Sequence, residues 1–314
     1  MRAETCGRCG GMTIPEVMIM ALVISTLMIV MTESMSTLSG VRVEQKAHFG
    51  VGDVADHVAR RIQTDVHIAA RVFTDTADDT DYLRSMAIGN TLLRSGRRLP
   101  RLTQGGFFRP DPADVPETGD VLFLARRCPR VRIEFDNGSA RTVQVLQFVV
   151  NSTIADNGQV ELLRWISQPV VNYYDVAEIQ DSNQRAEALQ QLSQNDVHLA
   201  WDPFGKRAAS LYEISNNAFV QLPIDHVVDG KEDAGDSRPF VMRHMQLAAG
   251  NSIPGVLVPA YANAASAFAG GIEIKIDGSS SGKLVLLRYV VLSTQPGMKR
   301  QIWTEIRRFL PTDG

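Results

Sequence analysis

A chain of 314 residues, 44% hydrophobic and 21% charged with a formal net charge of −3, has an ordinary globular balance and enough length for one large or two modest domains. No basic excess points to nucleic acid, and no acidic block suggests a disordered tail. Only Cys6, Cys9 and Cys128 are present, so a metal centre built on several thiolates is excluded.

The first predicted element is apolar. From Met12 to Thr32 the only charge is Glu16. As a helix, residues 12–32 span roughly 31 Å at about 1.5 Å per residue, close to the hydrocarbon thickness of a bilayer. Arg2 and Arg8 against Glu4 make a weakly positive flank, which favours a cytoplasmic N-terminus. A secretory signal needs a small-residue cleavage site after its apolar core, and "MTESMSTLSG" is a poor one. A plain signal anchor leaves Glu16 unexplained. No cysteine follows the apolar run, so it is not a lipoprotein signal. Thr13-x-x-Glu16 is a capping-box pattern, with Pro15 tolerated in the first turn. Capping does not require a carboxylate in lipid, however, where it is costly and usually has a partner.

"GMTIPE" resembles the processing motif of type IV prepilins: Gly11, an apolar residue, Thr13, two further positions, and Glu16 fifth in the mature chain. The resemblance implies cleavage between Gly11 and Met12 by a membrane-embedded prepilin peptidase, and methylation of the new Met12 N-terminus. It further implies that Glu16 meets the N-terminal amine of a neighbouring pilin-like subunit, which draws subunits into register. Met12 in place of the usual phenylalanine, Pro15, and the Cys6-x-x-Cys9 pair in the leader are departures from the family pattern. One such pair supplies only half the ligands of a structural zinc site. With the leader removed, Cys128 has no intramolecular partner.

Beyond Thr32, "VADHVARRIQTDVHIAARV" sets Val54, Val58, Ile62 and Val66 four apart, while Asp56, Arg60, Arg61, Gln63 and Asp65 are assigned to other faces. In pilin-like proteins the membrane helix continues outward and packs on a β-sheet. The expected organisation is therefore a leader over 1–11, a transmembrane and polymerisation helix over 12–32, and an amphipathic continuation over 33–72, softened near Gly40, Gly50 and Gly52. A connecting region over 73–118 follows, with local helix around Thr91. His57 and His67 lie ten apart and share no close face, so they are read as solvated or packed.

Residues 119–314 read as a β-rich extracytoplasmic head. "DVLFLARR", "RVRIEF", "RTVQVLQFVV" and "QVELLRWIS" are strand-like, with turns at Asp136-Asn137-Gly138 and Asp156-Asn157-Gly158. "GGIEIKID" and "KLVLLRYVVLS" read as a hairpin and "RQIWTEIRRFL" as a final strand. A helical insertion near 182–195 is capped by Asp181 or Ser182. "DGKEDAGDSR" (229–238) is acidic but lacks the spacing and closing glutamate of an EF-hand loop, and reads as a solvated loop. "GSSSGK", ending at Lys283, is one residue short of a phosphate loop and sits between strands. Trp165, Trp201 and Trp303 are scattered, as packing residues are.

No catalytic set, metal site or cofactor is read from the chain, which is expected not to be an enzyme. The fold class is α+β: a long N-terminal helix, half membrane and half amphipathic, packed on an antiparallel sheet in a pilin-like way. The resemblance implies a structural subunit of a type IV pilus or type II secretion pseudopilus, held in the inner membrane with its head in the periplasm. Its expected partners are the prepilin peptidase, other pilin-like subunits and membrane lipid. The large head and the "LLR" of Leu162–Arg164 on a return strand are similar to J-type minor pseudopilins and W-type minor pilins, which sit near the filament tip. The alternative is a membrane-anchored extracytoplasmic enzyme or ligand-binding β-domain.

Overall fold

The computed structural model describes residues 13–86, 88–104, 117–156, 159–200, 224–226, 245–247, 272–279, 282–293 and 302–312. It is an α+β fold in which one long helix, α1 (Ile14–His67), precedes everything else. Then come β1 (Ala69–Val72), α2 (Ala77–Ser85), α3 (Gly89–Arg94), β2 (Leu102–Thr103), β3 (Val121–Arg127), β4 (Val131–Glu134) and β5 (Ala140–Val143). β6 (Val145–Asp156), β7 (Gln159–Ser167), β8 (Val170–Asn172), α4 (Tyr173–Ala177), α5 (Ser182–Gln194) and β9 (His198–Ala200) follow. The chain closes with β10 (Ile224–His226), β11 (Met245–Leu247), β12 (Ile272–Ser279), β13 (Gly282–Ser293) and β14 (Trp303–Pro311).

The strands divide into three groups rather than the one antiparallel sheet expected. The larger sheet runs β1-β3-β6-β7-β10, with β8 beside β6 and β9 beside β8. The second runs β11-β13-β12-β2, with β14 on β13, and β4–β5 is a separate hairpin. Pairing is antiparallel except for β12 with β2 and β8 with β9. The β6–β7 hairpin closes at Asp156 opposite Gln159, and β12–β13 at Ser279 opposite Gly282, as the turn signals indicate. Gly138, at φ +80°, makes the β4–β5 turn in a conformation that only glycine adopts readily. Gly119 stitches the two sheets by reciprocal hydrogen bonds with Ile274, each 2.8 Å. A Cβ there would lie 2.4 Å from the main-chain nitrogen of Pro100.

Period-two alternation gives the larger sheet two apolar faces. Leu122, Leu124, Val149, Leu162 and Ile166 point to α1 and join Ile274, Val285, Leu287 and Ile306 of the second sheet in one core. Val121, Phe123, Phe148, Val150 and Trp165 point the other way, beneath α2 and α3, around stacked Phe73 and Phe123. The region expected as a connection over 73–118 thus contributes a packed helical layer, and the helix around Thr91 is α3. α5 is capped by Asp181, whose carboxylate accepts from the main-chain nitrogens of Asn183 and Gln184.

Only the outer half of α1 is packed. Val54, Val58, Ile62 and Val66 are buried, as their spacing indicates, and burial begins at Ala47. Each such side chain contributes on the order of 1.5–3 kcal/mol. The helix runs unbroken through Gly40, Gly50 and Gly52. It ends at His67 instead of Val72, because Ala69–Val72 pair with β3.

Asp65 is the main correction. It lies three after Ile62 and seven after Val58, so it shares their face and is 1% exposed. Arg164 of β7 reaches it with two hydrogen bonds of 2.7 Å, and Arg126 of β3 approaches to 3.6 Å. Tyr289 of β13 donates its hydroxyl to the carbonyl of Ala55, ten residues earlier on α1. Breaking a buried pair by deleting one partner strands the other charge. Asp65→Ala should therefore lose about 3–5 kcal/mol of stability in thermal unfolding, while the double change Asp65→Leu with Arg164→Met should recover most of it.

Candidate functional site

The candidate site is the inner half of α1, and its chemistry starts at Thr13. The main-chain nitrogen and the hydroxyl of Thr13 both donate to Oε2 of Glu16 at 2.9 Å. The carboxylate therefore satisfies donors that the first turn of a helix leaves open, with Pro15 set where no hydrogen bond is lost. Among the described residues no hydrogen bond falls on Oε1 of Glu16.

Behind this cap the helix is apolar on every face and uncovered. Ile14, Met18 and Leu22 are 79%, 68% and 70% exposed, and the apolar exposure continues to Met31. The few hydroxyls fold back on their own helix. Ser25 donates to the carbonyl of Ala21 and Thr26 to that of Leu22, both at 2.8 Å, and Thr32 donates to Met28 at 2.7 Å. Each of these hydroxyls is thus satisfied without solvent, as a hydrocarbon environment requires. This helix is long and apolar enough to cross a membrane and is compatible with a single-pass anchor. A polar stretch follows from Glu33 to Lys46, in which Met35, Leu38 and Val41 stay exposed. The head begins where Ala47 becomes buried.

Gly11, Met12, Cys6 and Cys9 lie outside the described residues, as do Trp201 and the acidic loop 229–238. The structure thus brings Thr13 and Glu16 together and leaves the processing pair undescribed. His57 and His67 are both exposed on α1. Among the described residues no three His, Cys, Asp or Glu side chains gather where they could hold a metal. Cys128 is half-buried and donates its thiol to Oε1 of Gln147 at 3.4 Å. Burial pushes that thiol up, opposed by the cation of Arg126.

Lys283, the lysine of the "GSSSGK" run, donates to the carbonyl of Val72 at 3.2 Å. Its ammonium is held below its usual range, first by burial and then by Arg71. It ties β13 to β1. Trp165 is buried in the core beneath α2 and α3, and Trp303 is half-buried on β14. The residues that sequence reading missed are those that aim the helix: Asp65, Arg126 and Tyr289. A carboxylate at the i+3 position of an apolar stripe was the available signal for Asp65. Nothing local marks its partners.

Comparison with models of protein families, with curated proteins and with solved structures returns no match to this chain.

Membrane residence of α1 has a direct check. An arginine at the centre of a spanning helix costs about 2.5–3.5 kcal/mol in insertion. The chain should stay with membranes through alkaline carbonate washing and be released by detergent. Val23→Arg with Leu27→Arg should shift it to the soluble or aggregated fraction.

Proposed function

We propose that this chain is a structural, non-enzymatic subunit of a type IV pilus-like or type II secretion pseudopilus filament, made as a precursor and processed by a prepilin peptidase. The observation that carries the reading is the placement of Glu16. A lone carboxylate caps the leading end of an otherwise apolar, uncovered helix, five residues after Gly11, and the far half of that helix is locked into a folded head.

The steps follow from solvation and charge. The precursor waits in the inner membrane with its N-terminus cytoplasmic and its head outside. Cleavage after Gly11 creates a methylated amine on Met12. Oε1 of Glu16 is an acceptor for such a cation on a neighbouring subunit, and the pairing offsets the penalty of a carboxylate in lipid. The apolar helix leaves the bilayer only by packing among similar helices, because its surface cannot face water. The partners are then the peptidase, other pilin-like subunits along α1, and lipid. The bulk of the head and the Leu162–Arg164 strand favour a minor subunit at the tip, of the J-type pseudopilin or W-type pilin kind. At the tip, only the lower side of the subunit needs a neighbour.

N-terminal sequencing after co-expression with a prepilin peptidase tests the processing step. A mature chain starting at methylated Met12 supports it. An intact Met1, or a cut beyond Met31, instead favours a membrane-anchored enzyme or binding domain. Glu16→Ala should leave cleavage near wild-type while reducing incorporation into filaments about tenfold or more. Unchanged incorporation would reduce Glu16 to a helix cap.

A further inference from the structure

The β4–β5 hairpin has one edge that no strand covers among the described residues, and side chains occupy it. Val131, Ile133 and Phe135 turn their main-chain groups toward β5, since Ile133 pairs with Arg141 and Phe135 donates to Ser139 at 2.9 Å. Glu134 and Asp136 must therefore turn theirs outward. There α5 meets them. The main-chain nitrogen of Glu134 donates to Oε1 of Gln191 at 3.2 Å, and Nε2 of Gln191 donates back to the carbonyl of Glu134. The main-chain nitrogen of Asp136 donates to Oε2 of Glu187 at 3.2 Å. Four helical residues rise about 6 Å and two strand residues about 6.7 Å, so one turn of α5 matches the repeat of the edge. Two side chains of a helix stand in for a neighbouring strand.

The strand beneath them reads Arg130-Val131-Arg132-Ile133-Glu134-Phe135-Asp136. Its even-numbered side chains are exposed, Arg132 and Glu134 by 69% and 72%, while Ile133 and Phe135 are buried. Laid antiparallel on a second copy of itself about Ile133, this strand sets Arg130 against Asp136 and Arg132 against Glu134, on both sides. It also sets Val131 against Phe135. Every charged position meets its opposite, and the outward main-chain groups of residues 132 and 134 fall into hydrogen-bonded register. Within the hairpin Arg132 and Glu134 lie opposite Thr142 and Ala140, and their only charged partner there is each other, at 3.3 Å along the exposed strand. We propose that the outer edge of β4 is a strand-pairing surface for β4 of a second copy of this chain, held shut in cis by Gln191 and Glu187.

The inference is independent of the filament reading and is tested on the full chain in detergent micelles. Glu187→Met with Gln191→Met keeps helix-forming, space-filling side chains and removes the polar groups. Hydrogen exchange at the amides of Glu134 and Asp136 should then speed up about tenfold or more, and self-association measured by sedimentation should tighten about tenfold. Arg132→Glu added to that variant sets glutamate against glutamate and should abolish the gain. Adding Glu134→Arg as well restores complementarity and should bring it back. Glu187→Gln keeps an acceptor and should stay closed. Unchanged exchange, no gain in association, or a gain indifferent to the charge reversal would each overturn the proposal. Should the double variant fail to fold by circular dichroism, Gln191→Met alone, read at the Glu134 amide and through the same charge pair, separates the same outcomes.

Discussion

Two charges with almost no access to water hold the molecule in its geometry. Asp65 and Arg164 are joined by a bidentate pair between the last turns of α1 and the middle of the larger sheet. An apolar stripe such as Val54-Val58-Ile62-Val66 gains nearly as much from a neighbouring register, because hydrophobic burial has no direction. A planar fork on a carboxylate does have one. Among the described residues its buried Nη1 has no hydrogen-bond partner, which adds to its cost. Such pairs contribute little net stability over a well-packed apolar substitute, whereas losing one partner is costly. Here the fork joins a 54-residue rod to its head at one residue of its last turn.

Fixing one end aims the other. From Ile14 to Lys46 the helix extends about 50 Å without burying a side chain, except where it nears the head. The two halves of one element therefore present different surfaces. The outer half obeys the amphipathic rule, with one face in the core and Asp56 and Arg60 in water. The inner half is apolar all round and hides its hydroxyls in its own backbone. Gly40, Gly50 and Gly52 do not interrupt the rod, since each keeps its helical hydrogen bonds and no neighbour crowds Gly40 or Gly52.

The head meets the opposite requirement, that its exposed strand edges stay quiet. The β4 edge is occupied at Glu134 and Asp136 by an amide and a carboxylate from α5, a local remedy beside a self-complementary charge pattern. Lys283 serves similarly at the other end, directing its ammonium to a carbonyl of β1. A glycine-rich run that resembles a phosphate loop is thereby used for closure between two elements far apart in the chain.

What the sequence determined by itself is whatever repeats locally. The apolar length of residues 12–32, the Thr13-to-Glu16 cap, the four-residue spacing of the packed stripe, the alternating strands and the two asparagine-glycine turns all rest on contacts within a few residues. Tertiary structure decided the rest. The helix stops at His67 because Ala69–Val72 find hydrogen bonds on β3 that no local signal foretells. The strands part into two sheets and a hairpin, with α1 packed in a core shared by both sheets, and Asp65 turns inward to Arg164, ninety-nine residues away, which supplies its counter-charge. Those choices depend on pairs distant in the chain, whose compatibility appears only once the chain has closed on itself.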